Sequence, residues 1–158
     1  MWILEFLNGL PKELAVIITA AMPVIEVRGS VPIGFAIGLP PLNIFFLSVI
    51  GSLIPVVPIL WFLHFVTDEL RHIDVFDRFF NWLFSRTHAK SKLIEEFETI
   101  GLALFIAIPL PGTGVWTGCV AAYVFDLPWP NTIIAAIAGT TIASAILTLA
   151  GLGIINIF

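Results

Sequence analysis

Charge is the scarcest feature of this sequence. Asp, Glu, Lys and Arg make up 11% of its 158 residues, against roughly 25% in a soluble domain. Two long segments carry none of the four: residues 42–66 and residues 127–158. Each exceeds the roughly 20 residues needed to cross about 30 Å of hydrocarbon. With 59% hydrophobic residues, the chain reads as an all-α integral membrane protein of the cell membrane, crossing it more than once.

Cysteine is nearly missing as well. The single Cys119 excludes an internal disulfide, and its apolar surroundings make it a packing residue rather than a reactive thiol. The N-terminus has no basic region followed by a small-residue cleavage site, so it reads as mature sequence. There is no phosphate-binding loop, no paired His at zinc spacing, no nucleophile motif and no basic surface for nucleic acid. The expectation is therefore a protein that is not an enzyme, with no metal, no cofactor and no nucleic-acid partner. The length suits one domain. So small a chain cannot enclose a wide pore alone, so a homo-oligomer, most simply a dimer, is expected.

The charge that is present is concentrated. Five of the seven basic residues, Arg71, Arg78, Arg86, Lys90 and Lys92, lie between Asp68 and Glu98. This polar stretch, residues 67–98, separates a first apolar repeat, 1–66, from a second, 99–158. In the first repeat the short run Leu14–Ile25 ends in Glu26-Val27-Arg28-Gly29-Ser30-Val31-Pro32, and the short run Ile33–Leu39 follows. Pro40-Pro41-Leu42-Asn43 then leads into the long run. In the second repeat Leu102–Ile108 ends in Pro109-Leu110-Pro111-Gly112-Thr113-Gly114, and Val115–Phe125 follows. Pro128-Trp129-Pro130-Asn131 leads into the second long run. Asn43 precedes Gly51-Ser52 by the same interval that separates Asn131 from Gly139-Thr140. A recurring order of this kind is the mark of an internal repeat.

The short runs are too short to cross a bilayer as helices, and Pro and Gly break them. The preferred reading is a pair of half-helices that enter and leave by one face. The competing reading is one kinked spanning helix per pair. Re-entry gives each repeat one crossing, so the two repeats are inverted, as in many secondary transporters. Between them, Leu70, Ile73, Phe76, Phe80, Leu83 and Phe84 recur at helical spacing opposite Arg71, Asp74, Asp77, Arg78 and Asn81, which predicts an amphipathic interfacial helix. A short amphipathic turn from Lys92 should lead into the second hairpin. Trp2, Ile3, Phe6 and Leu7 are its first-half counterpart. The cluster of basic residues places the central polar segment in the cytoplasm.

Ionisable residues within apolar segments are candidates for function. Glu26 and Arg28 sit at the first break, either as an ion pair that holds the turn or as the lining of a substrate cavity. Arg offers a fork of donors that fits phosphate or carboxylate. Ser30, after Gly29, is the expected N-cap of one half-helix, with Pro32 in its first turn. Thr113, between Gly112 and Gly114, is the expected equivalent in the other. Two helix N-termini beside Arg28 would favour an anion. The candidate site for substrate binding or proton coupling is Glu26, Arg28, Gly29, Ser30, Pro111, Gly112, Thr113 and Gly114. Asp126 reads as a capping or surface residue, Asn43 and Asn131 as capping residues, and His64 as a surface or packing residue.

The motif Glu26–Pro32 together with Pro109-Leu110-Pro111-Gly112-Thr113-Gly114-Val115-Trp116-Thr117-Gly118 resembles the small multidrug export protein family. That family is similar to the DedA and VTT membrane proteins, described with paired re-entrant hairpins. The resemblance implies a transporter or lipid translocase. Its DedA side implies proton-coupled movement of an anionic amphipathic substrate such as a lipid phosphate, with membrane lipid as partner. Unlike DedA proteins, this chain lacks extra flanking helices. The family label implies instead a small exporter of cationic compounds. A membrane scaffold that transports nothing is the reading from another class.

Overall fold

The structure, a computed structural model, describes residues 10–70, 92–110 and 113–157. Every regular element among them is an α-helix. In chain order these are α1 (Lys12–Ala21), α2 (Glu26–Ala36), α3 (Pro41–Leu53), α4 (Val56–Leu70), α5 (Lys92–Ala107), α6 (Val115–Val124) and α7 (Trp129–Ile157). The proposed interfacial face of Phe76, Phe80 and Leu83, and the N-terminal Trp2, Ile3, Phe6 and Leu7, lie outside the described residues.

Among the described residues, two helical stretches are long and apolar enough to cross a membrane, Pro41–Val66 and Trp129–Ile154. Less than half of either is buried inside the protein. Their outer faces carry Leu42, Phe46, Trp61, Ile134 and Leu149, all exposed. A soluble protein would cover such faces; a membrane protein presents them to lipid. The first stretch is interrupted at Ile54 and Pro55, between α3 and α4. Pro55 has no N–H to give the Gly51 carbonyl, and Ile59 N–H resumes the ladder at the Pro55 carbonyl. The second stretch has no proline at the corresponding place and runs unbroken as α7.

Each long helix packs on the short helix that opens its half. A β-carbon at Gly51 would stand 2.5 Å from the Ile17 carbonyl oxygen of α1, and one at Gly139 2.7 Å from the Ala103 carbonyl oxygen of α5. Close approach of this kind is what small residues allow between apolar helices. α1 also packs against α2, and α5 against α6. Two separate cores result. One gathers Val16, Val31, Leu39 and Ile44, with Leu147 of α7 packed against them. The other gathers Leu102, Ile106, Val115, Cys119 and Ala135, with Val56 and Leu60 of α4. Each half thus borrows the distal part of the other half's long helix. Cys119 is fully buried, as a packing residue should be.

Several local expectations are corrected. The first break falls at Met22–Ile25 rather than at Gly29. Pro23 lies in that turn, and α2 begins at Glu26. Ser30 is therefore inside α2 and is no cap. Its hydroxyl donates to Ser48 Oγ at 2.8 Å, with both residues buried. Pro32 lies inside α2 rather than in its first turn. Asn43 and Asn131 are the third residues of α3 and α7, where Pro41 and Trp129 come first. The amphipathic turn expected at Lys92 is continuous with the first half-helix of the second repeat, and together they make α5.

The ends of α2 and α6 are built alike. Leu39 N–H bonds the Gly34 carbonyl and Gly38 N–H the Phe35 carbonyl; Leu127 N–H bonds the Ala122 carbonyl and Asp126 N–H the Tyr123 carbonyl. This is a Schellman ending, whose first non-helical residue takes the left-handed conformation. Gly38 has φ 76° and Asp126 φ 54°. Asp126 is thus a helix-terminating residue, as its sequence position predicted.

Candidate functional site

The two helix breaks meet. Ala21 ends α1, and its carbonyl accepts a bond from the indole N–H of Trp116 in α6 at 3.2 Å. The turn Met22–Ile25 follows, and Glu26 adopts φ 48° as it starts α2. That conformation is rare for a side chain with a β-carbon. It directs the Glu26 carboxylate across to the other half.

There the carboxylate meets the N-terminus of α6. Glu26 Oε1 accepts a hydrogen bond from Trp116 N–H at 3.3 Å. The first N–H groups of a helix have no partner within it, and its N-terminal end favours negative charge. Glu26 supplies both. The residue before α6 is Gly114, at φ 153°. A β-carbon there would collide with the Glu26 carboxylate. Glycine is thus required at 114 for backbone conformation and for space.

Arg28, half a turn further along α2, bridges the same two halves. Its Nη1 lies 3.9 Å from Glu26 Oε2, and its Nη2 donates to Thr113 Oγ1 at 2.8 Å. Thr113 Oγ1 is also within hydrogen-bond reach of the Ile108 and Leu110 carbonyls, at 2.6 and 2.8 Å. The hydroxyl therefore donates to the C-terminal end of α5 while accepting from Arg28. Thr113 does not cap α6, whose N-cap is Gly114. Arg28 Nε is buried and has no partner among the described residues. The Glu26 side chain is 5% exposed and that of Arg28 20%, so the pair is largely withdrawn from solvent.

Of the residues the sequence singled out, Glu26, Arg28, Thr113 and Gly114 come together. Gly29 and Ser30 do not join them. Gly29 lies within α2, where a β-carbon would strike Ile25, and Ser30 faces α3. Pro111 and Gly112 lie outside the described residues. Trp116 is the residue that motif reading passed over. A Trp in an apolar segment needs a partner for its N–H, and that need was the available signal. His64 packs edge-on against Trp129, ring centres 6.3 Å apart, as a packing residue. Among the described residues no cluster of His, Cys, Asp or Glu could hold a metal.

The arrangement is a buried carboxylate–guanidinium pair laid across the contact between two helix breaks. The α6 N-terminus that the sequence offered to a foreign anion is occupied by the chain's own carboxylate, while Arg28 divides its terminal nitrogens between Glu26 and Thr113.

A family model described as "Putative small multi-drug export protein" matches residues 26–146. The matched stretch opens on Glu26 and holds both partners of the pair and both sides of the contact. No curated protein and no solved structure matches the chain.

Proposed function

This chain belongs to the small multi-drug export protein family, and from that premise we propose that it is a secondary transporter that works at the Glu26–Arg28 junction. The observation that carries the proposal is the meeting of both helix breaks at one buried ion pair. Charges are expensive inside an apolar membrane domain and persist there mainly for function.

The transporter reading includes an inverted repeat of two re-entrant hairpins, each followed by a crossing helix. Three observations support it. α1 and α2, of 10 and 11 residues, pack against each other rather than end to end, and neither could cross about 30 Å of hydrocarbon. Gly51 and Gly139 make equivalent close approaches to α1 and α5. The sequence offset that pairs Asn43 with Asn131 also pairs Gly38 with Asp126 and Glu26 with Gly114. Residues related by a two-fold axis touch each other only at that axis. Glu26 and Gly114 touch, which supports a junction near the axis about which the halves would exchange roles.

For the substrate, an anionic amphiphile such as a lipid phosphate, as in DedA proteins, is favoured by Arg28 and the α6 N-terminus. Because Glu26 already occupies the α6 N-terminus, binding there would require its carboxylate to be neutralised or displaced. That requirement couples an anion to a proton. Export of cationic compounds is favoured by the family's description. Membrane lipid and a second copy of the chain are the proposed partners, with the central polar segment on the cytoplasmic side.

Flux in reconstituted liposomes tests the reading. A translocase of anions moves lipid phosphate with a proton, and an exporter of cations moves cationic dyes. A chain that moves neither across a panel of both is a scaffold, and the transporter reading is then lost.

A further inference from the structure

A second site lies away from the junction, between α5 and the C-terminal end of α6. It is a cavity of about 310 Å³ lined by Glu98, Gly101, Leu102, Phe105, Ala121, Ala122, Phe125 and Leu127. We infer that it binds a single-tailed amphiphilic amine, its ammonium head beside Glu98 and its apolar body along Leu102 and Phe105.

The cavity exists because of residue size. A β-carbon at Gly101 would meet nothing within 4 Å, and Ala121 and Ala122 present only methyl groups across from it. Phe105 and Phe125, both exposed, form walls. The volume falls at the lower end of the roughly 300–1,000 Å³ typical of small-molecule sites. It has room for one alkyl chain or one ring system.

The chemistry is polarised along its length. Glu98, Gly101, Leu102 and Phe105 share one face of α5 by their three- and four-residue spacing. Seven residues of helix separate the carboxylate from the deeper phenyl ring by about 10 Å. Glu98 is the one ionisable residue in the lining, and every other lining residue is apolar. A positive head gains from the carboxylate, whereas an anionic head meets repulsion. Glu98 has a contact of its own in this structure, which an ammonium group joins or replaces. A comparable cavity of about 310 Å³ between α2 and α7, lined by Val31, Pro32, Phe35, Leu147, Ala150, Gly151 and Ile154, holds no ionisable group and so no basis for preferring charge.

This site goes beyond the reading at Glu26 and Arg28, and its test reads binding rather than flux, so failure here leaves that reading standing. The probe is tritiated dodecyltrimethylammonium, added to the full chain in phosphatidylcholine nanodiscs. Saturable binding is expected, displaced by dodecylamine and not by dodecyl sulfate. Glu98→Gln should weaken binding at least tenfold, with partial retention in Glu98→Asp. Gly101→Leu should abolish saturable binding while leaving the melting temperature unchanged or raised. Should Gly101→Leu fail to fold, Gly101→Ala narrows the same cavity and should still lower affinity. Equal binding in the parent, Glu98→Gln and Gly101→Ala would overturn the assignment. So would dodecyl sulfate or dodecanol binding as tightly as the amine, or full displacement by phosphatidylethanolamine added to the nanodiscs.

Discussion

The carboxylate of Glu26 fills the space that a β-carbon at Gly114 would occupy. Glu26 is the first residue of α2 and Gly114 the residue before α6, and both have positive φ. Two large side chains could not share that point. One half contributes the charge and the other makes room for it.

Gly114→Ala should therefore be costly. It adds a clash with the carboxylate to a backbone angle that alanine disfavours, and a loss of about 2–4 kcal/mol is expected. Glu26→Gly removes the clash and relieves the positive φ at 26, but leaves Arg28 without its carboxylate. The double variant should lose clearly less than the sum of the two singles, because the steric part is counted in only one of them. Thermal unfolding in detergent for the three variants measures the difference. Strict additivity would show that the two residues do not interact.

Gly38 and Asp126 offer a second comparison between the halves. Both end a helix in the left-handed conformation, where glycine carries no steric cost. Gly38→Ala should destabilise by about 1 kcal/mol. Asp126→Gly should be neutral or mildly stabilising, the gain being reduced by whatever contact the Asp126 side chain gives up. Chemical denaturation midpoints compared at constant slope distinguish these outcomes.

How far the site could be read without coordinates depends on the range of each signal. The long helices were legible because a charge-free run such as residues 127–158 is a local property. The pairing of Glu26 with Arg28 was legible because a single residue, Val27, separates them in the sequence. The ends of the short helices were not. Ser30 followed by Pro32 has the pattern of a helix start, yet Pro23 had already broken the chain, and the buried Ser30–Ser48 bond outweighed capping. The capping of α6 by Glu26 joins residues far apart in sequence. No motif contains it, and only the repeat offset hinted at it.

Ser30 and Ser48 can be separated by a double-mutant cycle. Removing one hydroxyl strands the other in a buried site, at about 1–3 kcal/mol, whereas replacing both by alanine removes the need for either. Ser30→Ala and Ser48→Ala should each destabilise, and the double variant should be closer to the parent than either prediction by addition. Melting temperatures at matched detergent concentration test this.

Trp116→Phe keeps an aromatic ring and the backbone N–H that holds Glu26, and removes the indole bond to the Ala21 carbonyl together with part of the side chain's packing. A loss of about 0.5–1.5 kcal/mol is expected. If that bond ties α1 to α6 during transport, flux should change by more than stability does. Flux and melting temperature that fall in proportion would assign the indole to structure alone.

The pair itself can be tested by separating charge from geometry. Arg28 reaches Glu26 with one terminal nitrogen and Thr113 with the other. Lysine has a single ammonium and cannot hold both from one position, so Arg28→Lys should keep a folded protein with weakened flux. Glu26→Gln keeps an acceptor for Trp116 N–H and loses the charge. It strands Arg28 in a largely desolvated site, at about 3–5 kcal/mol if the pair is purely structural. Transport coupling predicts a different outcome: Glu26→Gln still binds substrate, and its flux no longer varies with pH. Combining Glu26→Gln with a neutral residue of similar length, Arg28→Met, removes both charges. A structural pair is then relieved, and stability and flux should return together. A working pair predicts that stability returns and flux does not, because the folded double variant has no group left to exchange a proton or hold a counter-charge at the contact of the two breaks. Melting temperature beside liposome flux, for both singles and the double, decides between them.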